Sequence, residues 1–308
     1  MKVSELDYDL PAELIAQHPL PRRDESRLLV YERASGEVRH RRFGDLADEA
    51  ADALVVVNDT RVLPARIPLE RPRGEVLLLE RVGGDEWEGL ARPTRRLRPG
   101  RYGDVELLEH LGEGRWRLRL HGEPAGETPL PPYITEPLAD AERYQTVYAR
   151  ARGSAAAPTA GLHFTPEVLA RLAVERVTLH VGLDTFRPLA VEELAEHELH
   201  GERYEVRPEA WERIHAAPRV LAVGTTTTRV LETLARGAAL RDRTTLFITP
   251  GFEFRRVDAL LTNFHLPRST LLALVMAFAG VEETRGLYAL AIEKRYRFYS
   301  FGDAMLVL

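Results

Sequence analysis

Short apolar runs that end on polar turns organise this chain. Leu54-Val55-Val56-Val57 meets Asn58-Asp59, Val220-Leu221-Ala222-Val223 meets Gly224 and four threonines, and Leu260-Leu261-Thr262 meets Asn263-Phe264-His265. Runs of this length between turns are the pattern of strands buried on both faces. Residues 27–32, 177–181 and 245–248 also read as strands. Helices are expected at 11–17, 43–53, 165–172, 211–217 and 228–236, and one begins at 189–196. Thr165 is placed to cap the second of the longer ones, with Pro166 at its first position. Residues 271–279 are wholly apolar, the mark of a core helix; Ser269 or Thr270 precedes it as a cap and Gly280 stops it. This alternation predicts an α/β layer around a largely buried sheet.

The texture changes between about residues 64 and 132. Short strands at 76–80, 86–91, 104–108 and 115–120 are separated by Gly and Pro turns, with no helical stretch among them. That spacing predicts a small all-β unit. The expected fold is α/β: a large mixed domain of residues 1–63 and 150–308, with a smaller antiparallel β-barrel domain inserted at 64–149.

Composition narrows the functional classes. The 308 residues contain no Cys, which excludes disulfide frameworks, thiolate zinc sites, iron–sulfur clusters and cysteine nucleophiles. The net charge of −5 excludes a globally basic coat for nucleic acid, but not a local patch. Ten Arg and six acids lie between Arg61 and Arg101, a surplus that suits either phosphate binding or a solvated surface. The longest apolar run falls far short of the ~20 residues of a membrane span. Acids stand where a signal peptide would be apolar, so a cytoplasmic location is expected. Only two Asn occur, Asn58 and Asn263. A composition that avoids this residue keeps it where a short side chain must both donate and accept hydrogen bonds.

Five constellations carry candidate chemistry. Gly224-Thr225-Thr226-Thr227-Thr228 joins a strand to a helix, which suits either an anion cradle or repeated capping. It matches neither a P-loop nor the dinucleotide fingerprint. Thr159 to Thr165 sets His163 just before a helix, where the neutral imidazole is favoured. His180 to Pro188 is a strand end with Gly182, Asp184, Thr185 and Arg187; the His197 and His200 that follow lack the spacing of a zinc protease. Asn263 and His265 alternate off one strand end and so share a side. Tyr296 to Met305 interleaves aromatics with Arg297 and Asp303, fit to stack a base or to form an amphipathic strand.

Taken in order, NDTRVLPAR, APTAGLHFT, HVGLDTF, AVGTTTTR, LLTNFHLPRSTL and YRFYSFGDAM resemble the S-adenosylmethionine:tRNA ribosyltransferase-isomerases of queuosine synthesis. The resemblance covers essentially the whole chain. Two positions depart from it: Asp184, where the family usually has Gly, and Gly201, where it usually has Ser. The resemblance implies transfer and isomerisation of the ribosyl part of S-adenosylmethionine onto 7-aminomethyl-7-deazaguanine at the tRNA wobble position. Epoxyqueuosine forms, and adenine and methionine leave. It implies no metal or redox cofactor, a tRNA anticodon loop as partner, no membrane, and a monomer.

Under that resemblance His163 and His265 are the candidates for proton transfer, Asn263 orients a substrate hydroxyl or base edge, and Asp303 pairs with the substrate ammonium beside Tyr299. Gly224, Thr225 and Thr226 would hold a carboxylate or phosphate, and Arg61, Arg187 and Arg268 would meet phosphates. Thr159, Gly182, Thr185 and Ser269 complete the candidate substrate-binding set. Two rivals stay open. A methyltransferase would release S-adenosylhomocysteine rather than adenine, and a non-catalytic RNA-binding module would bind tRNA without turnover.

Overall fold

The computed structural model describes residues 1–182, 189–199 and 201–308. Its largest element is a nine-stranded mixed sheet. Four parallel strands form its centre, in the spatial order Val174–Leu179, Leu54–Asn58, Val220–Val223 and Ala259–Asn263. Their apolar runs are buried on both faces, as the sequence pattern requires. Val55, Val57, Leu221 and Leu261 pack to one side, against Phe43, Leu46, Phe164 and Val168. Val56, Ala222 and Leu260 pack to the other, against helices Pro208–Ala216, Thr225–Leu234, Thr270–Ala279 and Val281–Glu293.

Four parallel strands put four carboxyl ends on one edge. Strand Ala304–Val307 runs antiparallel to Ala259–Asn263, with Asn263 opposite Ala304. Its amino end therefore reaches the same edge and brings residues 299–303 there. This edge is the floor of the candidate site.

A separate six-stranded antiparallel sheet follows the order Arg66–Leu69, Gly74–Gly83, Glu86–Arg92, Arg115–Leu120, Val105–Gly112, Gly100–Tyr102. Trp87, Trp116, Leu78 and Leu118 fill its own core. Its two edge strands do not pair with each other, and beyond its inner neighbour the first of them gains only an isolated bridge from Arg66 to Glu127 among the described residues, so the sheet is a half-barrel rather than a hydrogen-bonded closed barrel. Residues Leu130, Tyr133, Ile134 and Tyr144 pack instead with Ala16, Val62, Ala157 and Phe301.

Several local expectations change. The 11–17 helix is a single 3-10 turn, Ala12–Leu14, and at 189–196 only Leu194–Glu196 forms such a turn. The strand expected at 245–248 lies earlier, at Arg241–Thr244, paired to Glu202–Glu205. Polar Arg-Asp-Arg-Thr reads as loop because this edge strand is mostly exposed. The threonine helix begins at Thr225 rather than Thr228, because Gly224 at φ 85° turns the chain directly into it.

Candidate active site

Each carboxyl end delivers a polar side chain to the same edge, and most of these are tied to a neighbour. Asn58 donates from Nδ2 to the Leu179 carbonyl (2.9 Å), while its Oδ1 accepts from the Thr60 and Leu179 N–H groups (3.2 and 3.0 Å). It also reaches Thr226 Oγ1 at 3.4 Å, so it locks three turns together. Asn263 does the same two strands further on. Its Oδ1 accepts from the Thr159 hydroxyl at 3.1 Å; its Nδ2 faces His163 Nε2 and the Tyr299 carbonyl at 3.2 Å and the Asp303 carbonyl at 3.4 Å. Both amides thus donate and accept.

His163 stands behind Asn263. Its Nδ1 lies 2.8 Å from Ser26 Oγ, which donates onward to the Arg23 carbonyl, and its ring stacks on Phe43 at 5.0 Å. With Nε2 accepting from Asn263, the Nδ1 proton faces Ser26. Burial, with smaller contributions from Arg23 and Arg297, holds its pKa down to about 3, so the ring is neutral with both nitrogens engaged. Gly161, two residues before it, lies so close to Tyr148 that a Cβ would sit 2.0 Å from the phenol oxygen; the chain needs glycine to pass.

His265 differs. Its backbone N–H donates to the Tyr288 hydroxyl at 2.9 Å and its carbonyl accepts from the Tyr8 hydroxyl. Its Nε2 lies 2.7 Å from the Thr262 hydroxyl, and no described residue bonds its Nδ1. Burial alone lowers its pKa to about 3, so it too is neutral. Tyr299, at φ 69°, packs against Tyr133 with ring centres 4.7 Å apart, and burial pushes its phenol up to about 12.

These turns converge. Thr159, Val181, Gly224, Thr225, Thr226, Asn263, His265, Tyr299 and Tyr133 line one narrow recess. Thr225, Thr226 and Leu271 also line a much larger cavity of about 560 Å³ between the two sheets. That size lies within the range of ligand pockets. Gly182 and His180 face it from the large sheet, and Trp87, Leu90 and Glu113 from the half-barrel.

Other candidates go elsewhere. Asp303 lines neither space: its two oxygens accept the Arg27 and Arg297 N–H groups, both at 2.8 Å, so it fastens the turn that carries Tyr299. Burial raises its pKa, and those backbone bonds oppose the rise. Arg61 pairs with Glu142 on the outside, and Arg268 is exposed at φ 54°. Ser269 is the helix cap, accepting from the Leu272 N–H at 3.2 Å. Asp184, Thr185, Arg187 and His200 lie outside the described residues.

Sequence reasoning missed three wall residues. Glu202 accepts the Gly182 N–H at 2.9 Å and pairs with Arg229, which also donates to the Leu246 and Thr244 carbonyls. Both members of this pair are nearly buried and line the large cavity. His180 Nδ1 meets Thr60 Oγ1 at 2.9 Å, and burial lowers its pKa. Four threonines in a helix followed by Arg229 were the one available signal for the pair.

Fold and candidate site together place the chain in the α/β class, with its candidate site at the carboxyl edge of the large sheet. The chain belongs to the queuosine biosynthesis protein family, which matches residues 3–307. Similar proteins include the S-adenosylmethionine:tRNA ribosyltransferase-isomerases of Rubrobacter xylanophilus, 52% identical over all of this chain and 98% of that one, and of Symbiobacterium thermophilum, 49% identical over the whole of both. The crystal structure of S-adenosylmethionine tRNA ribosyltransferase from Thermotoga maritima superimposes with a TM-score of 0.59, at 36% identity, over 99% of this chain and 100% of that one.

Proposed function

We infer that this chain is an S-adenosylmethionine:tRNA ribosyltransferase-isomerase. One observation carries the reading in structural terms: five separate sequence motifs meet in a recess that shares Thr225, Thr226 and Leu271 as walls with a ligand-sized cavity. The substrates are S-adenosylmethionine and a tRNA carrying 7-aminomethyl-7-deazaguanine at the wobble position, reached by splaying that base from its loop. The reaction is proposed to need no metal or redox cofactor and to be carried out by a cytoplasmic monomer.

The proposed chemistry follows from which groups are already engaged. The sulfonium acidifies the adjacent 5′ carbon, so a base removes a proton there. His163 has no nitrogen left for that task, whereas His265 keeps Nδ1 available at the recess when its Nε2–H faces Thr262. A neutral imidazole also adds no like charge beside the sulfonium. His265 is therefore assigned proton transfer, and His163 holds Asn263. The remaining lone pair of Asn263 Oδ1 orients a ribose hydroxyl. The N–H groups that open helix Thr225–Leu234 donate to the methionine carboxylate. Tyr299 and Tyr133 provide an aromatic wall for a base.

The test is mass spectrometry of enzyme with S-adenosylmethionine and the modified tRNA. The reading expects free adenine and methionine in step with the mass gain of the tRNA. Release of S-adenosylhomocysteine, or tRNA binding without any turnover, would overturn it.

A further inference from the structure

The half-barrel holds two populations of arginine. On its strands, Arg66 pairs with Glu75, Arg115 with Glu88, Arg117 with Glu109 and Arg119 with Glu86. Arg71, Arg73, Arg92, Arg95 and Arg96 are exposed and have no side-chain hydrogen bond or ion pair with any described residue. Those five gather at one end. Glu75 pairs in register with Arg92, and a Cβ on Gly74 would touch the Arg92 carbonyl and Pro93, so the turn holding Arg71 and Arg73 abuts the start of the turn holding Arg95 and Arg96. Glu70 and Glu113 are the carboxylates in the turns of that end, which leaves it strongly positive.

This end adjoins the large cavity. Ala91 donates its N–H to the Gly114 carbonyl at 2.9 Å, and the neighbouring Leu90, Glu113 and Arg115 line the cavity wall. Guanidinium groups kept free of carboxylates are suited to phosphate oxygens, which they meet in bidentate fashion.

We propose that these five arginines form a docking surface for the phosphate backbone of the same tRNA whose wobble base enters the cavity. The partner strand is the anticodon arm flanking that base. The proposal rests on the enzymatic reading above and adds where the RNA is held. The contacts are to phosphate, so they give affinity and register but no base discrimination.

The experiment compares wild type with an Arg95→Ala/Arg96→Ala variant, using Arg117→Ala as the control on a paired strand arginine. Affinity for tRNA is measured by titration across a salt series, and S-adenosylmethionine affinity separately. The variant is expected to bind tRNA about tenfold more weakly near physiological salt, with the slope of log affinity against log salt reduced by about two. Its S-adenosylmethionine affinity and its turnover at saturating tRNA stay unchanged, and the control matches wild type. A variant that turns over normally with wild-type tRNA affinity and salt slope would overturn the proposal while leaving the enzymatic reading intact. Wild type that binds tRNA but releases no adenine would instead break the enzymatic reading, and the slopes would still report on this surface. A change in self-association by light scattering, without a change in RNA affinity, would assign the end to contact between copies of this chain and also overturn it.

Discussion

At the carboxyl edge of the nine-stranded sheet, Asn58, Asn263, Asp303 and Glu202 each hold two or more partners, most of them backbone groups from distant turns. At the free end of the half-barrel, five arginines hold none among the described residues. The contrast separates two tasks. Groups that position a reacting atom must not move, so the fold saturates their hydrogen bonds. Groups that grip a polyanion must be available to it, so the fold leaves them in water, where an unpaired charge costs little.

Breaking the saturated edge should have the largest consequences. His265→Ala should reduce turnover by about 10²- to 10⁴-fold, the range of a lost proton-transfer group, with KM for S-adenosylmethionine changed far less. Steady-state kinetics that show wild-type turnover in a folded His265→Ala protein would remove His265 from the mechanism. Glu202→Ala should destabilise the protein by about 3–5 kcal/mol, because Arg229 would stay buried without its partner. Urea unfolding measures this, and an unchanged midpoint would show that water reaches the pair.

Acid should expose the same design more gently. The His163 and His265 pKa values fall from 6.5 to about 3 on folding, so the unfolded chain binds more protons between those values. Their contribution to stability is complete above pH 6.5 and is lost as pH falls toward 3. Removing one imidazole should flatten that slope: the gap in urea midpoint between wild type and His163→Gln should narrow from pH 7 to pH 4. A constant gap would mean that His163 does not titrate between the two states. The smallest effect belongs to the half-barrel strands, where Arg117→Ala breaks an exposed pair with Glu109 and should change stability by no more than about 0.5 kcal/mol.

Much of this was legible in the residues. Apolar runs such as Leu54 to Val57 have no other stable place than a sheet covered on both faces, so the strands and the turns at their ends follow from pattern alone. The rarity of Asn marked Asn58 and Asn263 correctly as two-way hydrogen-bonding positions. What pattern does not show is the distant partner. His163 reads as a catalytic imidazole until Ser26, 137 positions away, is found on its Nδ1. Asp303 reads as a free carboxylate until the Arg27 and Arg297 N–H groups are seen on it. Glu202 reads as surface because Gly182 and Arg229 meet it only through the fold.

A crystal structure of the enzyme with S-adenosylmethionine bound decides where the sulfonium is held. The ligand is expected in the cavity of about 560 Å³ between the sheets, its carboxylate at Thr225 and Thr226 and its sulfonium facing the recess of Thr159, Asn263 and His265. Density for the sulfonium compound anywhere else, with that recess left unengaged, would contradict this placement.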